Sequence, residues 1–151
     1  RVRSNAGGRL EPVPAEAAGV RTLLKRLQRG GVVGILPDQQ PRVGDGAFAP
    51  FFGRAALTMT LLGRLAARSG ARLLIAWCER LPGTGSPRFA LHVAEAPEGI
   101  ADPDPARAVA ALNAGVEAIA RRDFAQYQWT YKRYKYRPPA SGETNPYKPA
   151  P

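Results

Sequence analysis

Residues able to do acid–base or nucleophilic chemistry are scarce in this 151-residue chain. It holds one histidine, His92, and one cysteine, Cys78. A histidine acts as general base when a positioned carboxylate orients it. His92 lies in a segment expected to be a strand, with no acidic residue at a useful spacing after it, and reads as structural or surface. Cys78 closes the apolar run Leu73-Leu74-Ile75-Ala76-Trp77-Cys78 and reads as a buried, inert thiol. One cysteine makes no internal disulfide, and with His92 alone it makes no zinc site. No metal and no cofactor are expected.

Asp38 is better placed. It follows the apolar run 32–36 and Pro37, and ligands of open parallel sheets gather at the carboxyl ends of strands. There it can orient an arginine or a hydrogen-bond donor; the alternative is a turn-forming aspartate. The third chemically distinctive stretch is the tail, where Tyr127, Trp129, Tyr131, Tyr134 and Tyr136 alternate with Lys132, Arg133, Lys135 and Arg137. Rings interleaved with cations bind single-stranded nucleic acid by stacking and phosphate contact. They also suit an anionic membrane surface or an acidic protein whose encounter is speeded by complementary charge. The formal net charge of +10 agrees with any anionic partner and selects none.

The elements that must position these residues follow from periodicity. Residues 16–29 read as a helix, with Val20, Leu23, Leu24 and Leu27 on one face and Gly30-Gly31 stopping it. Residues 32–36 read as a strand covered on both faces, and 37–53 as a long loop of the kind that is usually functional. Residues 54–68 read as a second helix through Leu57, Leu61, Leu62 and Leu65, with Thr58 satisfying backbone inside it. Residues 71–78 read as a second buried strand. Strand, helix, strand implies a right-handed parallel unit. Residues 88–94 read as a third strand through Phe89, Leu91 and Val93. A third helix opens at Asp104-Pro105, a cap followed by proline in the first turn, with Val109, Leu112, Val116 and Ile119 as its buried stripe. The expected fold class is therefore α/β, a mixed, partly parallel sheet with flanking helices. Residues 1–139 form the body and 140–151 a loose tail. No apolar run approaches the roughly 20 residues of a membrane span. The chain opens on Arg1 without a methionine, and reads as part of a longer protein.

Three segments, in order, carry a resemblance to a known family. The first is Arg1-Val2-Arg3-Ser4-Asn5. The second is Leu36-Pro37-Asp38-Gln39-Gln40-Pro41-Arg42, running on to Phe48-Ala49-Pro50-Phe51-Phe52-Gly53 and then to Leu65-Ala66-Ala67-Arg68-Ser69-Gly70-Ala71. The third is Gln126-Tyr127-Gln128-Trp129-Thr130-Tyr131-Lys132-Arg133-Tyr134-Lys135. Together they resemble the lipid A biosynthesis lauroyl/myristoyl acyltransferases, of the glycerolipid acyltransferase-like superfamily, in their C-terminal part. Two positions depart from the family pattern: Ala125 stands where the family has a glutamate, and Gln40-Pro41-Arg42-Val43-Gly44 replaces its Gly-Pro-Arg-Gly stretch.

The resemblance implies transfer of a fatty acyl chain from acyl carrier protein, as co-substrate, to a lipid A precursor at the cytoplasmic face of the bacterial inner membrane. It implies a catalytic His-x4-Asp/Glu motif, which this chain does not contain, so that the chain alone is expected to be inactive. Arg1, Arg3 and Arg42 are the arginines the resemblance marks for the phosphates of the acceptor, since guanidinium forks match phosphate oxygens. Asp38 is the supporting residue of the site. Phe51 and Phe52, with Phe48, line the acyl-chain groove, dip into the membrane interface or plug the core. Lys132, Arg133, Lys135 and Arg137 are the cations for a membrane or acidic partner, with nucleic acid not expected. The alternative is a non-catalytic basic module that binds anionic lipid or nucleic acid.

Overall fold

A computed structural model describes residues 11–14 and 16–148. Helix α1 spans Ala17–Gln28. A hairpin follows, β1 (Gly46–Phe51) and β2 (Arg54–Met59), and then α2 (Leu61–Ser69). A second hairpin is built of β3 (Leu74–Leu81) and β4 (Arg88–Glu95). Helix α3 (Pro105–Ala120) and a short 3-10 turn (Phe124–Gln126) lead into the tail. The mixed α/β class stands. Among the described residues, however, both sheets are two-stranded and antiparallel.

The parallel unit expected from the sequence is therefore not formed among these residues. Residues 32–36 have no regular structure, and Val32 is 94% exposed. A continuous apolar run becomes a strand only if something pairs with it and covers it, and nothing described here does. The second correction concerns 54–68, where the leucine spacing suggests one helix. Its first part is instead β2, paired residue by residue with β1 from Gly46↔Met59 to Phe51↔Arg54. The helix starts only at Leu61, and it ends at Gly70, in the left-handed conformation that suits a helix stop.

The first hairpin turns through Phe52 and Gly53, both at positive φ (48° and 74°), as a tight two-residue hairpin loop of the primed type requires. For a phenylalanine this costs on the order of 1 kcal/mol, offset by contacts at the tip described below. Pro50, which lacks an N–H, is tolerated because β1 is an edge strand.

The core lies where α3 packs across β1 and α2 closes one end. Phe51, Ile100 and Val109 are fully buried, with Leu57, Leu65 and Leu112 beside them; each large apolar side chain contributes about 1.5–3 kcal/mol. Gly63 lets α2 approach closely, since a Cβ there would sit 2.4 Å from the Ile100 carbonyl oxygen. Helix α3 begins as the sequence indicates: the Asp104 carboxylate accepts from the Ala106 N–H at 2.9 Å, with Pro105 in the first turn. Helix α1 buries only Gly19 fully, and its leucines are half-covered. No helix among the described residues is long and apolar enough to cross a membrane.

Candidate functional site

Three pieces of chain converge on the β1–β2 hairpin: the Asp38 loop, α3 and the tail. Strand β2 supplies Thr58, fully buried like its neighbours Ala56 and Leu57, since both faces of the strand are covered. Helix α3 supplies Asn113, four residues after Val109 and thus on the buried stripe. The tail supplies Arg133, whose exposure is only 4%.

These three side chains form one polar cluster inside the core. The Arg133 guanidinium donates to the Leu57 carbonyl oxygen, to Thr58 Oγ1 at 2.8 Å and to Asn113 Oδ1 at 3.3 Å. The Thr58 hydroxyl lies 3.0 Å from Asn113 Oδ1 and 3.1 Å from the Ala56 carbonyl oxygen. Asn113 Nδ2 donates to the carbonyls of Pro50 (3.0 Å) and Ala49 (3.3 Å), fastening α3 to β1. Arg133 also lies over the Phe51 ring at 5.6 Å. Its Nε is buried and has no hydrogen-bond partner among the described residues. Burial holds the Arg133 pKa below the usual arginine value, against the opposing pull of Tyr127 and Asp38; a guanidinium remains charged throughout.

The Asp38 loop rests on the same stretch of tail. The Gln40 backbone N–H donates to the Tyr131 hydroxyl at 2.8 Å, and Gln40 Nε2 donates to the Arg133 carbonyl at 3.3 Å. Asp38 is half-buried, and its charge acts on both Tyr127 and Arg133. The Tyr127 phenol is pushed up to about 12, first by burial and then by Asp38, so it is a neutral hydroxyl at any physiological pH.

The hairpin tip is held from α3. Glu117 Oε2 accepts from the Phe52 N–H at 2.6 Å, and Glu117 pairs with Arg121. The hydrogen bond from Arg121 and then that from Phe52 hold the Glu117 carboxyl below its ordinary value. The Phe52 ring meets Phe51 edge-on at 4.8 Å, Trp129 at 5.2 Å and the Arg121 guanidinium at 4.9 Å.

The residues singled out in the sequence thus separate. Asp38 and Arg42 share a loop, with Arg42 exposed. Phe51 is 1% exposed and belongs to the core rather than to a groove wall. Phe48 and Phe52 are half-buried. Arg1 and Arg3 lie outside the described residues. The four tail cations do not act as one surface. Lys132 and Lys135 are exposed, but Arg133 is buried and the Arg137 side chain is 7% exposed, donating to the Ala55 carbonyl at 2.8 Å and paired with Glu143. A guanidinium has several donors in a planar fork and can satisfy carbonyls that an ammonium cannot; the two arginines turn inward for that reason. Beyond Pro138, Tyr147 reaches back to accept from the Tyr134 N–H at 3.3 Å.

Cys78 is exposed, against the expectation of a buried thiol, because only one face of β3 is half-covered. On that half-covered face His92 Nε2 lies 2.7 Å from Glu79 Oε2, and the imidazole stacks on Trp77 at 4.9 Å. The carboxylate sits 13 residues earlier, diagonal to His92 in the ladder that pairs Trp77 with His92 and Glu79 with Ala90, where linear spacing does not reveal it. Among the described residues no group of three or more metal-ligating side chains occurs.

Sequence reading passed over Thr58, Asn113, Gln40, Tyr131 and Glu117 as site residues. One signal was available: Asn113 falls on the buried stripe of α3, where a polar residue needs buried partners.

The sequence model for bacterial lipid A biosynthesis acyltransferase matches residues 1–136. The chain belongs to that family. The match runs from the N-terminal arginine pair through the Asp38 loop and α3 to the tail, taking in Arg133 and stopping one residue before Arg137. Lipid A acyltransferase-type function follows for the protein in general terms. No curated protein matches the chain.

Proposed function

We propose that the chain serves transfer of a fatty acyl group from acyl carrier protein to a hydroxyl of a lipid A precursor, at the cytoplasmic face of the bacterial inner membrane. In this step the acceptor hydroxyl loses its proton to a base and attacks the thioester carbonyl; the carrier thiolate leaves and takes up a proton. The family match over residues 1–136 carries this reading.

Within it, the residues of this chain bind and orient. Arg42, exposed in the Asp38 loop, binds the acceptor's phosphates, a role the family resemblance also marks for Arg1 and Arg3. Asp38, held half-buried between loop and tail, orients a donor in the site. Phe52 and Phe48 line the apolar side. Lys132 and Lys135, the tail cations that remain outside, meet anionic lipid or the acidic carrier protein. The base is the histidine of the family's His-x4-Asp/Glu motif and not His92, whose carboxylate partner is Glu79 of the other hairpin and which lacks that spacing.

The test is transfer from acyl-acyl carrier protein to a phosphorylated lipid A precursor by the full-length enzyme. Asp38→Asn is expected to lower kcat with little change in stability, and Arg42→Ala to raise the KM for the acceptor. Normal kcat/KM in both variants would remove the site assignment. An enzyme that binds anionic vesicles tightly and never turns over would leave the non-catalytic reading in its place.

A further inference from the structure

The Asp38 loop has no regular structure of its own, yet a catalytic or orienting carboxylate must be held within a few tenths of an ångström of its working position. Neighbouring loop backbone supplies part of that hold: the Asp45 N–H donates to the Arg42 carbonyl at 3.0 Å. On the Asp38 side the hold comes from the tail. Two residues after Asp38, the backbone and side-chain N–H groups of Gln40 end on the Tyr131 hydroxyl and the Arg133 carbonyl.

The acceptors are themselves fixed. The Arg133 N–H donates to the Tyr131 carbonyl at 2.7 Å, and the Tyr131 N–H to the Gln128 carbonyl at 3.1 Å, so Tyr131 and Arg133 move together as one turn. The Arg133 side chain then runs into the core and ends on Leu57, Thr58 and Asn113. A buried charge with no carboxylate in bonding distance among the described residues is costly; here it adds to the direct Thr58–Asn113 contact between β2 and α3 and fastens both to the tail on which the loop rests.

We propose that Tyr131 and Arg133 are positioning residues for Asp38: Arg133 anchors the tail in the β2–α3 core, and the Tyr131 hydroxyl, with the Arg133 carbonyl, fixes the loop through Gln40. The inference rests on the reading of Asp38 as an active-site residue. It assigns the tail a role inside the enzyme, distinct from contact with any partner.

The experiment measures acyl transfer by the full-length enzyme for Tyr131→Phe, Gln40→Ala, Asp38→Asn and the pairwise combinations with Asp38→Asn. Tyr131→Phe keeps the ring and removes only the acceptor oxygen. Its kcat is expected to fall about tenfold, as displacement of a reacting group by a fraction of an ångström does, with KM for both substrates within about twofold. Gln40→Ala, which loses the second bond, is expected to show a smaller fall of the same kind. In the Asp38→Asn background neither substitution is expected to lower kcat further, because their effect passes through Asp38. Equal losses with and without Asp38, or an unchanged kcat in Tyr131→Phe, would overturn the proposal while leaving Asp38 in the site. A normal kcat for Asp38→Asn alone would overturn the site reading itself, and the proposal with it.

Discussion

The two hairpins of this chain have comparable strands and opposite surroundings. In β1–β2, Ala56, Leu57 and Thr58 are at most 3% exposed, because α3 lies on one side and the tail closes over the rest. In β3–β4, one whole face is open: Leu74, Phe89, Leu91 and Val93 are each more than half exposed, although they are as apolar as anything in the first hairpin. A strand's own residues do not decide its burial; a distant segment that comes to cover it does. The comparison also shows where polar side chains can be buried. The Arg133, Thr58 and Asn113 cluster exists only where the cover is complete, because each of its groups finds its partner on a different element. The half-open hairpin keeps its polar pair, His92 and Glu79, partly in solvent.

The contrast can be broken first at Arg133. In the full-length enzyme Arg133→Ala removes three donors and leaves the Leu57 carbonyl and Asn113 short of partners inside the core. Unfolding free energy is expected to fall by about 3 kcal/mol, read from denaturant midpoints; a loss below about 1 kcal/mol contradicts the anchoring role. Thr58→Val keeps the shape and removes one hydroxyl from the same cluster, so a smaller loss of about 1–2 kcal/mol is expected in the same titration.

A third measurement follows from Glu117. Its folded pKa is depressed below 4.5 by Arg121 and the Phe52 N–H, so its contribution is present above the unfolded value and disappears as pH falls through the lower folded one. As pH falls through that lowered value the hairpin tip should therefore loosen, seen as a smaller protection factor of the Phe52 amide against exchange. Glu117→Gln should exchange faster already at pH 7 and lose most of that pH dependence. Tyr127 behaves in the opposite sense. With its phenol pushed up to about 12, it adds stability below the unfolded value near 10 that is lost as pH climbs through 12, and at pH 11 only a minor fraction of it should absorb as phenolate. The smallest effect is expected on the open side. Leu91, 72% exposed, should tolerate Leu91→Ser in this chain within about 0.5 kcal/mol, and a loss several times larger would mean that its face is covered after all.

Local signals in the sequence located what local forces build. Helix α3 could be read from Asp104-Pro105 and its apolar stripe, α1 from its leucines, and β4 from the alternation of Phe89, Leu91 and Val93. The β1–β2 hairpin could not. Its turn is Phe52-Gly53 rather than an asparagine–glycine pair, Pro50 argues against a strand, and Leu57, Leu61 and Leu65 imitate a helix face; pairing between the two strands overrode that spacing. The Asp38 loop was singled out by resemblance and by its place after the apolar run 32–36; that run forms no strand here, so the resemblance alone marks it. Its support was not singled out, because Gln40 and Tyr131 are 91 residues apart and an arginine in a basic tail looks like one more surface charge.

That tail gives the most direct test. Its four cations fall into an inward pair, Arg133 and Arg137, that bonds to β2, and an exposed, outward pair, Lys132 and Lys135, proposed above to meet anionic lipid. The measurement is thermal unfolding beside co-sedimentation with anionic vesicles, at low and moderate salt, for full-length enzyme carrying Gln at either pair. The predicted result is a split. The outward variant keeps its Tm and loses about 2 kcal/mol of vesicle affinity, roughly 30-fold, at low salt and less when screened. The inward variant loses several degrees of Tm and, while folded, binds vesicles as before. An inward variant with unchanged Tm and weakened vesicle binding would contradict the account, since its arginines would then be surface cations and not the anchor of the site.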